Sequence, residues 1–112
     1  MSNPVVYIPQ EPRKRDEDGE WKPLYDLSPA LRFGTLKMLL PHGPLLLDTS
    51  TVMKSLREKL KDFCDNDYIM LIGDPAAIAS TIMVASDIND GLVNVLRYDR
   101  AEKRYNVVVF EL

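Results

Sequence analysis

The hydrophobic pattern of the chain is clearest between Tyr68 and Ile88. The apolar run Tyr68 to Ile72 stops at Gly73-Asp74-Pro75, and a second apolar segment of helical character follows at once. The run does not alternate with polar residues, so both faces of this strand should be covered, as in the centre of a parallel sheet. Asp74 is placed to cap the helix and Pro75 to open it. Strand, tight turn and helix are the unit of α/β domains.

Two segments have the periodicity of long helices. In the first, roughly Thr51 to Cys64, one apolar stripe faces inward and charged residues cover the other side; the stripe is Val52, Leu56, Leu60 and Phe63. The second, Pro75 to Ile88, contains no Lys, Arg or Glu. Its predicted buried stripe is Ala77, Ile78, Ile82, Ala85 and Ile88, which leaves Ala76, Ala79, Met83 and Val84 outside; the last three are the candidate interface residues. A helix this apolar is rarely open to water, so we expect these three to contact other chain segments or another subunit.

Further strand patterns complete the predicted fold. The segments are Val5 to Ile8, Thr35 to Leu40, Leu92 to Leu96 and Tyr105 to Leu112. Pro4 and Pro9 flank the first, which predicts an edge position because proline cannot donate to a ladder. The second is expected to be buried. Residues 26–34 predict a one-turn helix capped by Ser28 and ended by Gly34, and Leu45 to Leu47 is either a short return strand or an apolar loop.

The order of these elements predicts the fold class α/β. We expect one domain over residues 1–112, with a mixed, mostly parallel sheet of about four or five strands, a common size. Two main helices and a C-terminal β-hairpin complete it. Residues 10–24 are charged, mixed in sign and poor in apolar residues, which predicts a mobile charged loop or arm. Trp21 and Tyr25 are expected to fold back onto the body, because large aromatic side chains need somewhere to bury.

Composition narrows the class of protein. The net charge of −3 argues against a general nucleic-acid binder. The single cysteine, Cys64, excludes an internal disulfide and a cysteine-rich metal site. The apolar runs are far too short to span a membrane, and the first residues lack the pattern of a signal peptide. These features predict a cytoplasmic protein that does not bind membranes.

A combination of short motifs resembles a known group. The motifs are Asp26…Ser28-Pro29-Ala30…Phe33-Gly34, Leu56-Arg57…Leu60, Asp67-Tyr68…Gly73-Asp74-Pro75…Ile78-Ala79 and Leu96-Arg97-Tyr98-Asp99-Arg100…Arg104-Tyr105. Together, from about Asp26 to Leu112, they resemble small uncharacterised proteins of tailed bacteriophages, especially marine ones. The resemblance implies a phage origin and therefore action in the host cytoplasm. It brings no active site with it.

Two segments are candidate ligand sites. The first is the turn Gly73, Asp74 and Ala76, because ligands of open α/β sheets bind where parallel strands end and helix N-termini attract anions. Asp74 as a simple cap is the structural alternative, and no glycine-rich phosphate motif is present. The second is the tip of the C-terminal hairpin, where cations alternate with rings that can stack on bases: Arg97, Tyr98, Arg100, Lys103, Arg104 and Tyr105. Its alternative is a solvated hairpin whose charges pair with Asp99 and Glu102.

Enzyme constellations are absent from the sequence. His42, the only histidine, lies in a proline-glycine turn without a partner, and Cys64 is expected in or near the core rather than as a nucleophile. Asp65, Asp67, Asp87 and Asp90 have no calcium-loop spacing. We therefore expect no catalytic residues, no metal and no cofactor.

Three functions follow, in order of preference. The first is a non-enzymatic protein that binds a host protein or forms a homodimer, using Ala79, Met83 and Val84. The second is a nucleic-acid-associated accessory protein that uses the hairpin tip. The third is a small-ligand or nucleotide-binding domain at the Gly73-Asp74 turn.

Overall fold

The computed structural model describes residues 3–45 and 49–112, so Leu46 and Leu47 of the predicted return strand or loop lie outside the described residues. Along the chain the elements are β1 (Val5–Gln10), β2 (Arg13–Arg15), β3 (Trp21–Pro23), a 3₁₀ helix (Ser28–Arg32), β4 (Thr35–Leu40), α1 (Ser50–Lys59), β5 (Tyr68–Met70), α2 (Pro75–Ile88), β6 (Leu92–Asp99) and β7 (Arg104–Glu111).

The main sheet has five strands in the order β4-β1-β5-β6-β7. The first four run parallel, and β7 returns antiparallel to β6 as the C-terminal hairpin. The predicted α/β class and mixed sheet are confirmed. β5 lies at the centre, as its continuous apolar run predicts, and both Ile69 and Met70 are buried.

Two strand predictions are wrong in position. β1 lies between β4 and β5 rather than at an edge. Its pairing with β5 covers only Val6 and Tyr7, so the flanking prolines Pro4 and Pro9 lie outside the paired stretch on that side. The edge strand beside β1 is β4, and most of its side chains are exposed or half-buried instead of buried.

The sheet separates two hydrophobic clusters. On one face the helices pack over residues such as Tyr7, Ile69 and Val95, and the rings of Tyr7 and Phe63 lie 5.7 Å apart. On the other face the 3₁₀ helix covers Val6, Ile8, Met70 and Leu96. Because the 3₁₀ helix is short, it does not cover this face of the sheet around β7, where Val107 and Val109 are exposed.

The helices largely follow their patterns. In α1 the predicted stripe faces inward, although the helix ends at Lys59 and the buried Leu60 and Phe63 follow it. The bounds of α2 are those predicted, but Val84 is buried at 1% exposure, so its assignment to an outer face is wrong. The buried face of α2 is therefore rotated about the helix axis from the predicted one. The buried Thr81 explains this difference, because its hydroxyl donates to the Ala77 carbonyl at 2.8 Å and needs no water.

The charged segment 10–24 contains a two-stranded hairpin. β2 pairs antiparallel with β3, and the Asp16 carboxylate holds the turn by accepting from the Asp18 and Glu20 N–H groups. Trp21 stacks near His42, with ring centroids 4.4 Å apart. Trp21 and Tyr25 nevertheless remain about half exposed, so the expectation that they bury is wrong.

The 3₁₀ helix also begins differently from the prediction. Leu27, not Ser28, is its N-cap residue, and the Ser28 N–H donates to the Asp26 carboxylate at 2.9 Å. Gly34 follows the helix for a steric reason. A Cβ at this position would lie 2.3 Å from the Pro4 carbonyl oxygen.

Candidate functional site

A groove of about 690 Å³ opens at the end of the sheet where β5 and β6 finish. This volume lies within the range of small-ligand sites, about 300–1,000 Å³. The groove residues are Pro12, Leu24, Tyr25, Asp26, Pro29, Leu71, Ile72, Gly73, Arg97, Tyr98, Arg100 and Tyr105.

The groove brings together residues from both sequence-predicted sites. Gly73 follows β5, while Arg97 and Tyr98 end β6, and parallel pairing of these neighbours places their C-terminal ends side by side. Arg100 and Tyr105 join them from the hairpin. Asp74, Ala76, Lys103 and Arg104 do not line the groove. Tyr25 and Asp26 were not predicted as site residues, and the only signal was an aromatic side chain in a polar segment.

The Gly73-Asp74 turn itself is a structural junction. The Asp74 carboxylate accepts from the Ala76 N–H at 2.8 Å, so this donor at the start of α2 is already used. Its backbone N–H donates at 2.7 Å to the side-chain oxygen of Gln10, which is buried at the end of β1. A Cβ at Gly73 would lie 2.7 Å from the Gln10 Cβ. Gln10 therefore fills the crevice between β1 and β5, where doubly wound sheets reverse direction and bind ligands.

The aromatic wall of the groove is built on Tyr105. Its hydroxyl donates to the Met70 sulfur at 3.7 Å, and its ring packs edge-on against Tyr98 with centroids 5.1 Å apart. The two tyrosines are paired across β6 and β7. Burial raises the pKa of Tyr105, and Tyr98 and Asp26 raise it further, so the hydroxyl keeps its proton. Tyr105 therefore holds the ring of Tyr98 in place, and the exposed Tyr98 ring is accessible to a ligand.

The cations of the groove are free to bind. Within residues 3–45 and 49–112, no hydrogen bond or ion pair is made by the side chains of Arg97 and Arg100. Among the described residues the neighbouring Asp99 forms no ion pair with them; its carboxylate accepts from the N–H groups of Ala101 and Glu102. Those bonds, that of Glu102 first, hold the pKa of Asp99 below its usual value. The charge of Arg104, which faces Asp99 across the hairpin, also lowers this pKa, so the predicted local pairing is present for Asp99 as a charge interaction with Arg104 and not as a direct ion pair.

One carboxylate belongs to the groove wall. Hydrogen bonds from the Ser28 backbone N–H and then from its hydroxyl lower the pKa of Asp26, so it is ionised at neutral pH. A negatively charged ligand must therefore lie toward Arg97 and Arg100 and away from Asp26. The site has a positive side and a negative side.

The residues that could bind a metal ion do not form a cluster in the described part of the chain. Among the described residues, no three His, Cys, Asp or Glu side chains come close enough to share a metal ion. Cys64 is exposed, contrary to the expectation of a core position, and its N–H donates to the buried carboxylate of Asp67 at 3.0 Å. None of the helices in the described part of the chain has the length and apolar character needed to cross a bilayer.

Two further surfaces expose apolar side chains. On α2 the exposed residues are Ala76, Ala79 and Met83, the last at 65%, while Asp87 beside them pairs with Arg57 at 2.8 Å. The second surface is β7, whose side away from β6 pairs with none of the described residues. Val107 and Val109 are 44% and 57% exposed, and Phe110 is exposed on the opposite face of the strand.

Comparison with known proteins gives one match. The family model described as Phage Pam3 gp32-like protein covers residues 4–112. No curated protein and no solved structure matches the chain significantly. The match bears out the resemblance to small phage proteins over nearly the whole chain, and the chain belongs to the Phage Pam3 gp32-like protein family.

Proposed function

We propose that this phage protein acts by protein binding rather than by catalysis, and that it forms a symmetric dimer through β7 in the infected cell. The observation that supports the proposal is the open edge of β7. An edge strand presents a row of unpaired backbone N–H and C=O groups, which is a template for pairing with another chain. β7 is eight residues long, enough for an extended ladder.

The other edge of the sheet, β4, is protected against pairing with another chain. At β4 the Lys59 ammonium group of α1 donates to the Leu39 carbonyl, and the Lys37 ammonium group donates to the Lys59 carbonyl. Lysine at an edge is a common protection against unwanted strand pairing, because pairing would strip water from the charge. β7 carries no lysine or proline between Arg104 and Glu111.

The exposed side chains of β7 favour an apolar partner surface. Val107 and Val109 lie on the face of the 3₁₀ helix, opposite Leu96 and Asn94 of β6. Phe110 lies on the helix face, opposite Val93. An exposed, flat and apolar edge strand aggregates unless a partner covers it. A second sheet edge would extend both apolar faces across the interface.

The charges at the two ends of β7 favour a second copy in antiparallel orientation. Arg104 begins the strand and Glu111 ends it. Parallel pairing of two copies would bring like charges together at each end, whereas antiparallel pairing brings each Arg104 near the partner's Glu111. A twofold axis perpendicular to the sheet produces this arrangement and makes the contact self-complementary. The product is a continuous sheet of two domains.

Light scattering coupled to size exclusion tests the proposal at high micromolar concentration. We expect the wild type to be dimeric and Val109→Glu to be monomeric, because the substitution places two carboxylates in the apolar contact. Met83→Glu is the matched control on the α2 surface and should stay dimeric. A monomeric wild type contradicts the proposal, and so does loss of the dimer only in Met83→Glu.

A charge exchange tests the orientation. Arg104→Glu alone should weaken the dimer because two acidic ends then meet, and Glu111→Lys alone should weaken it through two basic ends. The double variant should recover affinity because opposite charges face each other again. A double variant weaker than both single variants excludes the antiparallel pairing. If the wild type is monomeric but retains a host protein that Val109→Glu loses, the partner is that protein and not a second copy.

A further inference from the structure

The groove at the end of β5 and β6 combines charge, stacking surface and shape in one chain. Arg97 and Arg100 carry positive charge without a partner among the described residues. Tyr98 and Tyr25 are exposed beside them, and Ile72 and Gly73 also line the groove. We propose that this groove binds single-stranded nucleic acid, with phosphates on the two arginines and a base against Tyr98.

The proposed phosphate contacts follow from the absence of ion pairs at Arg97 and Arg100 among the described residues. An arginine already held by a carboxylate would lose that bond on binding a phosphate, so the exchange would add little affinity. At the β6–β7 turn the Asp99 carboxylate accepts from the backbone of Ala101 and Glu102 and from the Asn106 amide, and it forms no ion pair with either arginine among the described residues. Arg97 and Arg100 therefore have no ion pair to break when they bind a phosphate, and arginine binds phosphate oxygens through two N–H groups at once.

The proposed stacking contact follows from the way Tyr105 holds the ring of Tyr98. Tyr105 is buried, is bonded to Met70 and contacts the Tyr98 ring edge-on at 5.1 Å, which restricts the orientation of that ring. A ring held in place loses little conformational freedom when a base stacks on it. Stacking on aromatic side chains is the sequence-tolerant contact that single-strand binders use.

The charge of Asp26 favours a single strand over a duplex. The ionised Asp26 carboxylate lines the same groove as the arginines and repels a second phosphate backbone, while it can accept from an N–H group of an unpaired base. Bases are free to enter a groove only when they are unpaired. An acidic peptide would satisfy the arginines but would leave the tyrosine surface and Asp26 unused.

The net charge of −3 does not oppose this assignment, because the charges are separated along the molecule. Between residues 97 and 104 the hairpin carries four cations, Arg97, Arg100, Lys103 and Arg104, against Asp99 and Glu102. At the opposite end of the sheet, where the strands begin, the acidic residues Asp65 and Asp67 precede β5, and Asp90 precedes β6. Local potential, not net charge, governs the approach of a charged ligand.

Fluorescence anisotropy with a short labelled oligothymidylate tests the site. We expect binding at low salt that weakens as salt rises. Arg97→Ala with Arg100→Ala should weaken it at least tenfold and lower the slope of log affinity against log salt by about 0.7 per lost phosphate contact. The matched control removes two cations outside the groove, Arg57→Ala with Lys61→Ala, and should change neither quantity. Equal losses in both double variants would overturn the proposal.

A second experiment tests the contact between Tyr98 and a base. Tyr98→Ala should weaken binding of the oligothymidylate by roughly tenfold and should leave binding of an abasic strand of the same length unchanged. No binding at low salt, equal affinity for both strands in the wild type, or displacement by polyglutamate as effective as by unlabelled strand would each overturn the assignment. Far-UV circular dichroism of every variant checks that the fold is retained. The groove residues belong to one chain, so this result is independent of the dimer.

Discussion

Gln10 and Asp74 are joined across the ends of β1 and β5, where the Gln10 side-chain oxygen accepts from the Asp74 backbone N–H at 2.7 Å. The Gln10 amide nitrogen donates to the carbonyls of Pro41 and Gly43 at 2.9 and 2.5 Å. A single buried side chain therefore ties the turn after β5 to the segment after β4. It fixes the position of the turn that contributes Gly73 to the groove.

Replacement of Gln10 by leucine should destabilise the protein. The Asp74 N–H would lose its acceptor, and an unsatisfied backbone donor of this kind costs about 2 kcal/mol. Urea unfolding monitored by circular dichroism measures the change in the free energy of unfolding. Lys14→Leu, at an exposed position, is the control and should change it by less than about 0.5 kcal/mol. Equal unfolding midpoints for Gln10→Leu and the wild type would contradict the role given to Gln10.

Gly34→Ala should destabilise the protein by steric overlap. The added Cβ would lie 2.3 Å from the Pro4 carbonyl oxygen, so the start of β1 would have to shift. Overpacking of this kind costs about 2 kcal/mol. Gly19→Ala is the matched control, because Gly19 also has a positive φ, +80°, but open space around its Cβ. Left-handed strain alone costs about 1 kcal/mol, so a loss no greater than that of Gly19→Ala would exclude the overlap.

Local sequence signals were sufficient for the central strand and for α2. Asp74 and Pro75 mark the start of that helix by hydrogen bonding and fixed φ, which act within one turn. The burial of Val84 could not be predicted in this way, because the Thr81 hydroxyl hides its polarity by bonding to Ala77 within the same helix. The pattern therefore suggested a helix rotated away from the observed orientation.

Strand order and the groove depend on contacts distant in sequence. The prolines beside β1 suggested an edge, but a missing N–H excludes pairing only where a neighbouring strand reaches it, and β5 pairs only with Val6 and Tyr7. The groove needs Tyr25, Ile72 and Arg97 side by side. No periodicity links those three segments, so the two predicted sites could not be combined before the sheet order was known.

Asp67→Asn should destabilise the protein although it preserves shape. The buried carboxylate accepts from the Val5 N–H at 2.9 Å on one oxygen, and from the Cys64 N–H at 3.0 Å and the Cys64 thiol at 3.4 Å on the other. An asparagine amide group would point a donor at one of these donors, and loss of a hydrogen bond to a charged group costs about 2 kcal/mol. Asp65→Asn, at an exposed carboxylate, is the control for the same chemical change. Similar unfolding free energies for the two variants would show that Asp67 does not join β1 to β5.

Tyr7 should make stability fall at high pH. Burial first, then the nearby Asp67, Asp62 and Cys64, raise the pKa of Tyr7 to about 12 from its ordinary 10.0. Between these values the unfolded chain binds fewer protons than the folded protein, so the free energy of unfolding decreases as pH rises through this window. Tyr7→Phe keeps the ring that packs on Phe63 and should lose stability less steeply between pH 10 and about 12. Urea unfolding at several pH values compares the slopes, with Tyr25→Phe, an exposed tyrosine, as control. Identical slopes for the wild type and Tyr7→Phe would mean that the buried hydroxyl ionises as easily in the folded protein as in the unfolded chain.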